Sequence, residues 1–181
     1  PAIAIEQRTS AANPRSTIAT TTEIYDYLRL LYAAVGRPHD PVPGEPVVRQ
    51  TPQQIADAIL SSPEGTKLML LAPLVTNQAG EFRDVIEKAR REGFVRLRID
   101  GEIIELGTAN SPKLAKTNSH TIEAVVDRLS IRDEIRQRLA DSIETSLRWG
   151  GGMLSVSRME PGTEKWTEQK FSTDYCNPST G

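Results

Sequence analysis

Cysteine is nearly absent from this 181-residue chain, in which Cys176 stands alone. A single thiol excludes an internal disulfide and a cysteine metal cluster. No apolar run approaches the length of a membrane span, and no secretion leader opens the sequence. We therefore expect a cytoplasmic location and no membrane contact. The chain begins at Pro1 and ends at Gly181 inside a polar run, which we interpret as the two ends of a fragment.

The chain also has little excess of positive or negative charge and few aromatic residues. The formal net charge is −2 and aromatic residues make up 5% of the chain. Such a balance does not imply non-specific nucleic-acid binding, and so few aromatics argue against a base-stacking surface. No phosphate-cradling loop of the Walker A type occurs, and His39 and His120 are isolated. The residues alone indicate a binding or structural module, with no catalytic residues and no complete enzyme.

The stretch 93–106, GFVRLRIDGEIIEL, predicts a β-hairpin. Its first half alternates polar side chains with an apolar set, the period of a half-buried strand, and that set is Val95, Leu97 and Ile99. The dipeptide at 100–101, Asp-Gly, fits a type I′ turn, which needs positive φ at both central residues. Arg96 and Arg98 then share the other face. That face is either a solvated edge or a charged surface shaped to meet another protein.

The rest of the chain predicts an α/β fold of the α+β kind. From residue 51 the element order is α-β-α-β-β-β-α-β-β, which suggests a mixed β-sheet with packed helices. Thr51 with Pro52 and Gln54 is a helix start with a capping box. Residues 130–149 predict the longest helix. Four prolines within residues 37–50 mark a domain boundary.

Several motifs together closely resemble the bacterial UvrA family of nucleotide-excision-repair ATPases, within its first ATP-binding half. They are PAIAIEQ, NPRST, TEIYDYLRLLYAAVG, KLMLLAPLV, GFVRLRIDGE, HTIEAVVDRL and RLADSIETSL. The resemblance covers essentially the whole chain. It implies an inserted domain of an ABC-type ATPase, with Walker A upstream of the chain and the signature helix and Walker B downstream. The parent protein would be a DNA-dependent ATPase that uses ATP and Mg, whereas this fragment would not be an enzyme.

The resemblance also implies domains and roles. Residues 1–50 correspond to part of the ATP-binding and signature region, 51–160 to the domain that docks UvrB, and 161–181 to a return strand and junction. Gln7 matches the Q-loop glutamine, which senses the γ-phosphate and Mg. The partner-binding candidates are Arg96, Arg98 and Arg128. The function implied is a UvrB-docking module that helps load UvrB at damaged DNA, with DNA bound through the parent protein, itself a homodimer.

The chain departs from the family at a zinc module that joins the inserted domain to the ATPase core in many members. Its ligands form two C-x-x-C pairs, and in this chain they align with Asp40, Pro43, Asn177 and Thr180. Both pairs are missing together, and Cys176 is one residue out of register. Since a structural zinc needs about four thiolate or imidazole ligands, we predict no zinc at this junction.

A second class of function stays open. The chain could be a nucleic-acid-binding α+β module whose arginine and lysine face contacts phosphates. Its cations would be Arg96, Arg98, Arg128, Lys113 and Lys116. Salt separates the two classes, because phosphate contacts lose affinity steeply as salt rises.

Overall fold

The computed structural model describes residues 18, 22–39, 47, 49–107 and 112–174, and the chain divides into two compact units, residues 1–39 and 40–181. In the first unit the described residues form one helix, α1 (Ile24–Val35), which has no buried residue. The strand predicted for residues 1–7 lies outside the described residues. None of the described helices is both long and apolar enough to cross a membrane.

The second unit holds six strands and three further α-helices among its described residues. The capping box predicted at Thr51 is confirmed, since its hydroxyl accepts from the Gln54 amide at 3.2 Å and the Gln54 side chain accepts from the Thr51 amide at 2.9 Å. In chain order the elements are α2 (Pro52–Leu60), β1 (Lys67–Ala79), α3 (Arg83–Arg91), β2 (Arg96–Ile99), β3 (Glu102–Glu105), β4 (Ser119–Ser130), a 3-10 turn (Asp133–Ile135), α4 (Arg136–Trp149), β5 (Met153–Met159) and β6 (Thr167–Ser172).

The strands form one sheet in the order β3-β2-β4-β1-β5-β6, and every neighbouring pair is antiparallel. The α+β class with helices packed on a sheet is confirmed. The expectation of a mixed sheet needs correction. The helical crossovers through α3 and α4 do join parallel strands, β1 to β2 and β4 to β5. In each case one antiparallel strand lies between the two, so none of the six described strands is hydrogen-bonded to a parallel neighbour.

One face of the sheet, which we call the helix-covered face, carries the apolar core. Its first half packs against α2 and α4, with Leu70, Val156 and Phe171 on the sheet meeting Ile55, Leu139 and Ile143 on the helices. Its second half packs against α3, whose Ile86 and Ala89 contact a set of buried strand residues. That set is Ala72, Val75, Leu97, Ile99, Ile122 and Ala124. Burial of these apolar side chains is the main favourable term holding helices to sheet.

Two local expectations are corrected by the structure. The hairpin turn is as predicted, with φ of 51° at Asp100 and 90° at Gly101. However, β2 begins only at Arg96, and Val95 is 62% exposed instead of sharing the core with Leu97. The longest helix begins at residue 136 and not at 130, because β4 continues pairing with β1 as far as Ser130.

Candidate functional site

No helix among the described residues of this unit packs on the opposite side of the sheet, which we call the helix-free face, and polar side chains of four strands lie on it. The register places Arg98 of β2 opposite Glu123 of β4, and Met69 of β1 opposite Ser157 of β5. Glu168 of β6 lies opposite Ser157 in turn. Because alternate residues of a strand share a face, these side chains project away from the helices.

Arg98 is the centre of this line. Its guanidinium bonds the Glu123 carboxylate through Nε, while Nη1 lies 2.7 Å from Glu168 Oε2 and 3.2 Å from Ser157 Oγ. The side chains of Arg98 and Glu123 are 15% and 6% exposed. Burial alone would lower the pKa of Arg98, but hydrogen bonds and charges from Glu123 and Glu168 more than offset it and raise that pKa. The group is a fixed cation held between two carboxylates.

Arg96 lies two residues earlier, near the edge of the sheet. Its Nε and Nη2 both donate to Glu105 Oε1 on β3, at 3.0 and 2.8 Å. Both side chains are exposed, so solvent screens the pair and its contribution to stability is small. The two arginines predicted on one face do share it, but only Arg98 is enclosed by other side chains.

Arg128 reaches the same face by way of a β-bulge. Leu70 pairs with Asp127 and Leu71 with Val125, so Val126 is an extra residue in β4. The next pair brings Arg128 opposite Met69 on the helix-free face. Arg128 is exposed, and within the described part of the chain its guanidinium makes no ion pair or hydrogen bond. Of the three predicted arginines it is the one that has no carboxylate partner there.

A groove of about 770 Å³ joins these features. Its lining includes Arg98, Arg128, Met69, Ser157, Ile103 and Trp166. Among the described residues of this unit three large apolar side chains are exposed, and two of them line this groove, Ile103 at 42% and Trp166 at 46%. Trp166 was not predicted as a site residue, and it lies one residue before β6. The available signal was a lone tryptophan in the polar stretch EPGTEKWTEQK.

A second polar cluster holds the hairpin turn to β4. The Nδ1 atom of His120 lies 2.6 Å from Asp100 Oδ2, and its Nε2 lies 3.0 Å from the Ala115 carbonyl oxygen. Both ring nitrogens therefore face acceptors, which favours the imidazolium. The hydrogen bond to Asp100 raises the pKa of His120, and the same bond lowers that of Asp100. His120, which the sequence shows only as an isolated histidine, is thus a hydrogen-bonding residue near the start of β4.

The positions predicted for metal and nucleotide contact lie apart from this site in the sequence. Within the described residues no three His, Cys, Asp or Glu side chains are grouped so that they could hold a metal ion. Gln7 and the four positions aligned with zinc ligands lie outside the described residues, so the roles assigned to them stay predictions. The described site is suited to contact through charge and apolar surface.

The fold and the groove define an α+β module with an arginine–carboxylate network on one sheet face. The family model of the UvrA interaction domain matches residues 50–160, more than half of this chain. The chain therefore belongs to the UvrA family.

Curated relatives agree with this family over nearly the whole chain. UvrABC system protein A of Haemophilus influenzae is 48% identical over 181 residues, and that of Escherichia coli O157:H7 is 47% identical over 181 residues. The Streptomyces coelicolor protein of the same name is 45% identical over 178 residues, 97% of this chain. The chain spans only 17% to 19% of the length of these relatives.

Proposed function

We propose that this chain is the part of a UvrA protein that docks UvrB in nucleotide excision repair, and that the groove is where UvrB binds. The observation that carries the proposal is the exposed guanidinium of Arg128 beside the apolar walls of Ile103 and Trp166. Arginine and tryptophan are enriched at the centres of protein interfaces, where they fill pockets and pair with charges. The partner that fits is a UvrB surface with a carboxylate next to an apolar side chain.

The carboxylates that pair with Arg98 and Arg96 on the helix-free face favour a protein partner over a phosphate backbone. Arg98 already lies between Glu123 and Glu168, and Arg96 is paired with Glu105. Those negative charges offset the field that a nucleic acid would need, and the chain as a whole carries a net charge of −2. The exposed lysines Lys113 and Lys116, and Lys67 in the lining of the groove, favour the nucleic-acid alternative.

The test is UvrB binding by the purified chain and its Arg128→Glu variant. If the arginine meets a desolvated carboxylate, reversal should weaken binding by at least the roughly 2–5 kcal/mol typical of truncating such a pair. Arg91→Glu, an exposed arginine on α3 at the other side of the sheet, is the matched control. Lys88, another cation of α3, is a poorer control because its ammonium lies 5.3 Å from the centroid of the Trp149 ring, so its reversal would also remove that contact. Unchanged affinity in folded Arg128→Glu would reject the proposal.

Salt and DNA distinguish the alternative. A phosphate-binding face would bind duplex or single-stranded DNA with an affinity that falls steeply with salt, and Arg128→Glu would reduce it. A UvrB-docking face predicts that the isolated chain shows little DNA binding at 150 mM salt, about the physiological ionic strength, while UvrB binding persists.

We further propose that the parent protein is a cytoplasmic, homodimeric, DNA-binding ATPase of the ABC class, in which Gln7 contributes to sensing ATP and Mg. The isolated chain should not hydrolyse ATP, since one glutamine cannot position a nucleotide without a phosphate loop. It should also purify with less than one zinc per chain by elemental analysis. Zinc at one per chain and resistant to chelator would refute the proposed loss of the zinc module.

A further inference from the structure

We propose that Asp127 is a positioning residue for partner binding, which acts by fixing the β-bulge that places Arg128 on the helix-free face. The inference rests on the proposed function, because it assigns the consequence of that bulge to UvrB affinity. It adds a residue that would not itself touch the partner.

The carboxylate of Asp127 lies at the meeting point of β4 and α4. Its Oδ1 accepts from the Arg128 amide at 2.7 Å and from Arg138 Nη2 at 2.7 Å. Its Oδ2 lies 2.9 Å from both Arg138 Nε and the Ser142 hydroxyl. Four donors thus converge on one side chain that is 17% exposed. Burial raises the pKa of Asp127, but these donors lower it below its ordinary value, so the carboxylate stays ionised.

The bulge decides which way Arg128 points. Residues 122 and 124 of β4 face the helices, and a regular strand would turn residue 128 to that side as well. The extra residue, Val126, reverses the alternation, so Asp127 faces α4 and Arg128 faces the groove. Bulges commonly re-aim a side chain in this way. The hydrogen bond from the Arg128 amide to Asp127 ties the bulge directly to the α4 contact.

A double-mutant cycle with Asp127→Asn and Arg128→Ala tests the inference through UvrB affinity. The asparagine keeps the shape of the side chain, but its NH₂ group meets donors where the carboxylate accepted. Asp141→Asn is the matched control, since Asp141 is an exposed aspartate on α4 that bonds only Gln137 among the described residues. Circular dichroism and thermal unfolding establish that each variant is folded.

We expect Asp127→Asn to weaken UvrB binding on the order of tenfold, within the range of couplings between contacting residues. In the Arg128→Ala background the same change should have little further effect, because Asp127 acts through Arg128. If Asp127→Asn keeps full affinity while Arg128→Ala loses it, the inference about Asp127 is wrong and the proposed function stands. If the losses of the two single variants multiply in the double variant, the inference is also wrong, since Asp127 would then act independently of Arg128. Full affinity in Arg128→Ala would overturn the proposed function and this inference with it.

Amide hydrogen exchange gives a readout that needs no partner. The Arg128 amide should exchange faster in Asp127→Asn and at the parent rate in Asp141→Asn, and an unchanged rate in Asp127→Asn would count against the bulge argument. If Asp127→Asn does not fold, Ser142→Ala and Arg138→Met replace it in the cycle. Each removes part of the donor set while leaving the carboxylate, and each should show the same dependence on Arg128.

Discussion

The two faces of this sheet are stabilised by different means. The helix-covered face buries apolar side chains against α2, α3 and α4. The helix-free face instead buries Glu123 and most of Arg98 in an ion-pair network. A buried ion pair contributes little net stability compared with apolar residues of similar volume. Stability alone therefore does not account for the charges of the helix-free face, and this is the face on which we propose that UvrB docks.

Arg158 shows the opposite case, a charge on the helix-covered face. It pairs with Leu68 across β1 and β5, and its guanidinium carbon lies 5.9 Å from the Phe171 ring centroid. Its Nε and Nη2 are buried without a hydrogen-bond partner among the described residues, and burial lowers its pKa. The helix-covered face therefore holds a guanidinium with two donors that lack hydrogen-bond partners among the described residues and with only a favourable charge from Glu160, whereas on the helix-free face Arg98 has two carboxylate partners and a hydroxyl.

The largest effect should come from the helix-covered face. Ile143→Ala removes a fully buried side chain of α4 and should lower the free energy of unfolding by about 2–5 kcal/mol. Urea titration measures the change, and the folded fraction should keep its UvrB affinity. A loss below about 1 kcal/mol would mean that this part of the core repacks easily.

Substitutions on the helix-free face should lower the free energy of unfolding by less, and by an amount that depends on how deeply the broken ion pair is buried. Glu123→Ala leaves Arg98 with Glu168 and Ser157, and should destabilise by about 1–3 kcal/mol for a half-satisfied buried charge. Glu105→Ala breaks the exposed pair with Arg96 and should cost at most about 1 kcal/mol. Equal costs in the same urea assay would erase the distinction between the enclosed arginine and the exposed one.

Replacing Arg158 should raise the free energy of unfolding, whereas the substitutions above lower it. Arg158→Met keeps the apolar stem against Phe171 and removes two buried donors that have no hydrogen-bond partner in the described part of the chain, so it should stabilise the chain by up to about 1 kcal/mol. Thermal unfolding at one pH measures the shift. Destabilisation would show that the guanidinium contributes through its contact with the ring, and that the helix-covered face also depends on a charge.

The smallest effect should be a pH dependence from the pair His120–Asp100. The raised pKa of His120 gives stability that is complete below its ordinary value of 6.5 and is lost as pH rises through the raised value. The lowered pKa of Asp100 gives stability that is complete above 3.8 and is lost as pH falls through the lowered value. Unfolding followed from pH 5 to pH 8, roughly the range in which histidine titrates, should show a decline toward pH 8, and His120→Gln should flatten it. An identical slope in the variant would assign the decline to other groups.

Local chemistry made several elements readable from the sequence alone. The capping box at Thr51 and the positive-φ turn at Asp100-Gly101 depend on residues no more than three apart. The alternation that buries Leu97 and Ile99 needs only the geometry of an extended strand. Family membership was readable for a different reason, because many separate motifs occur in the family's order.

The tertiary structure decided which of these elements meet. Arg98 bonds Glu123, 25 residues away, and Ser157, 59 residues away, and no local pattern specifies those pairings. Arg128 lies on the helix-free face only because one extra residue in β4 reverses the alternation, and that bulge is tied to α4 through Asp127. Trp166 lines the groove because β6 pairs at the sheet edge beside β5. Period two describes a regular strand, so a bulge and a strand order set by packing lie outside what it can predict.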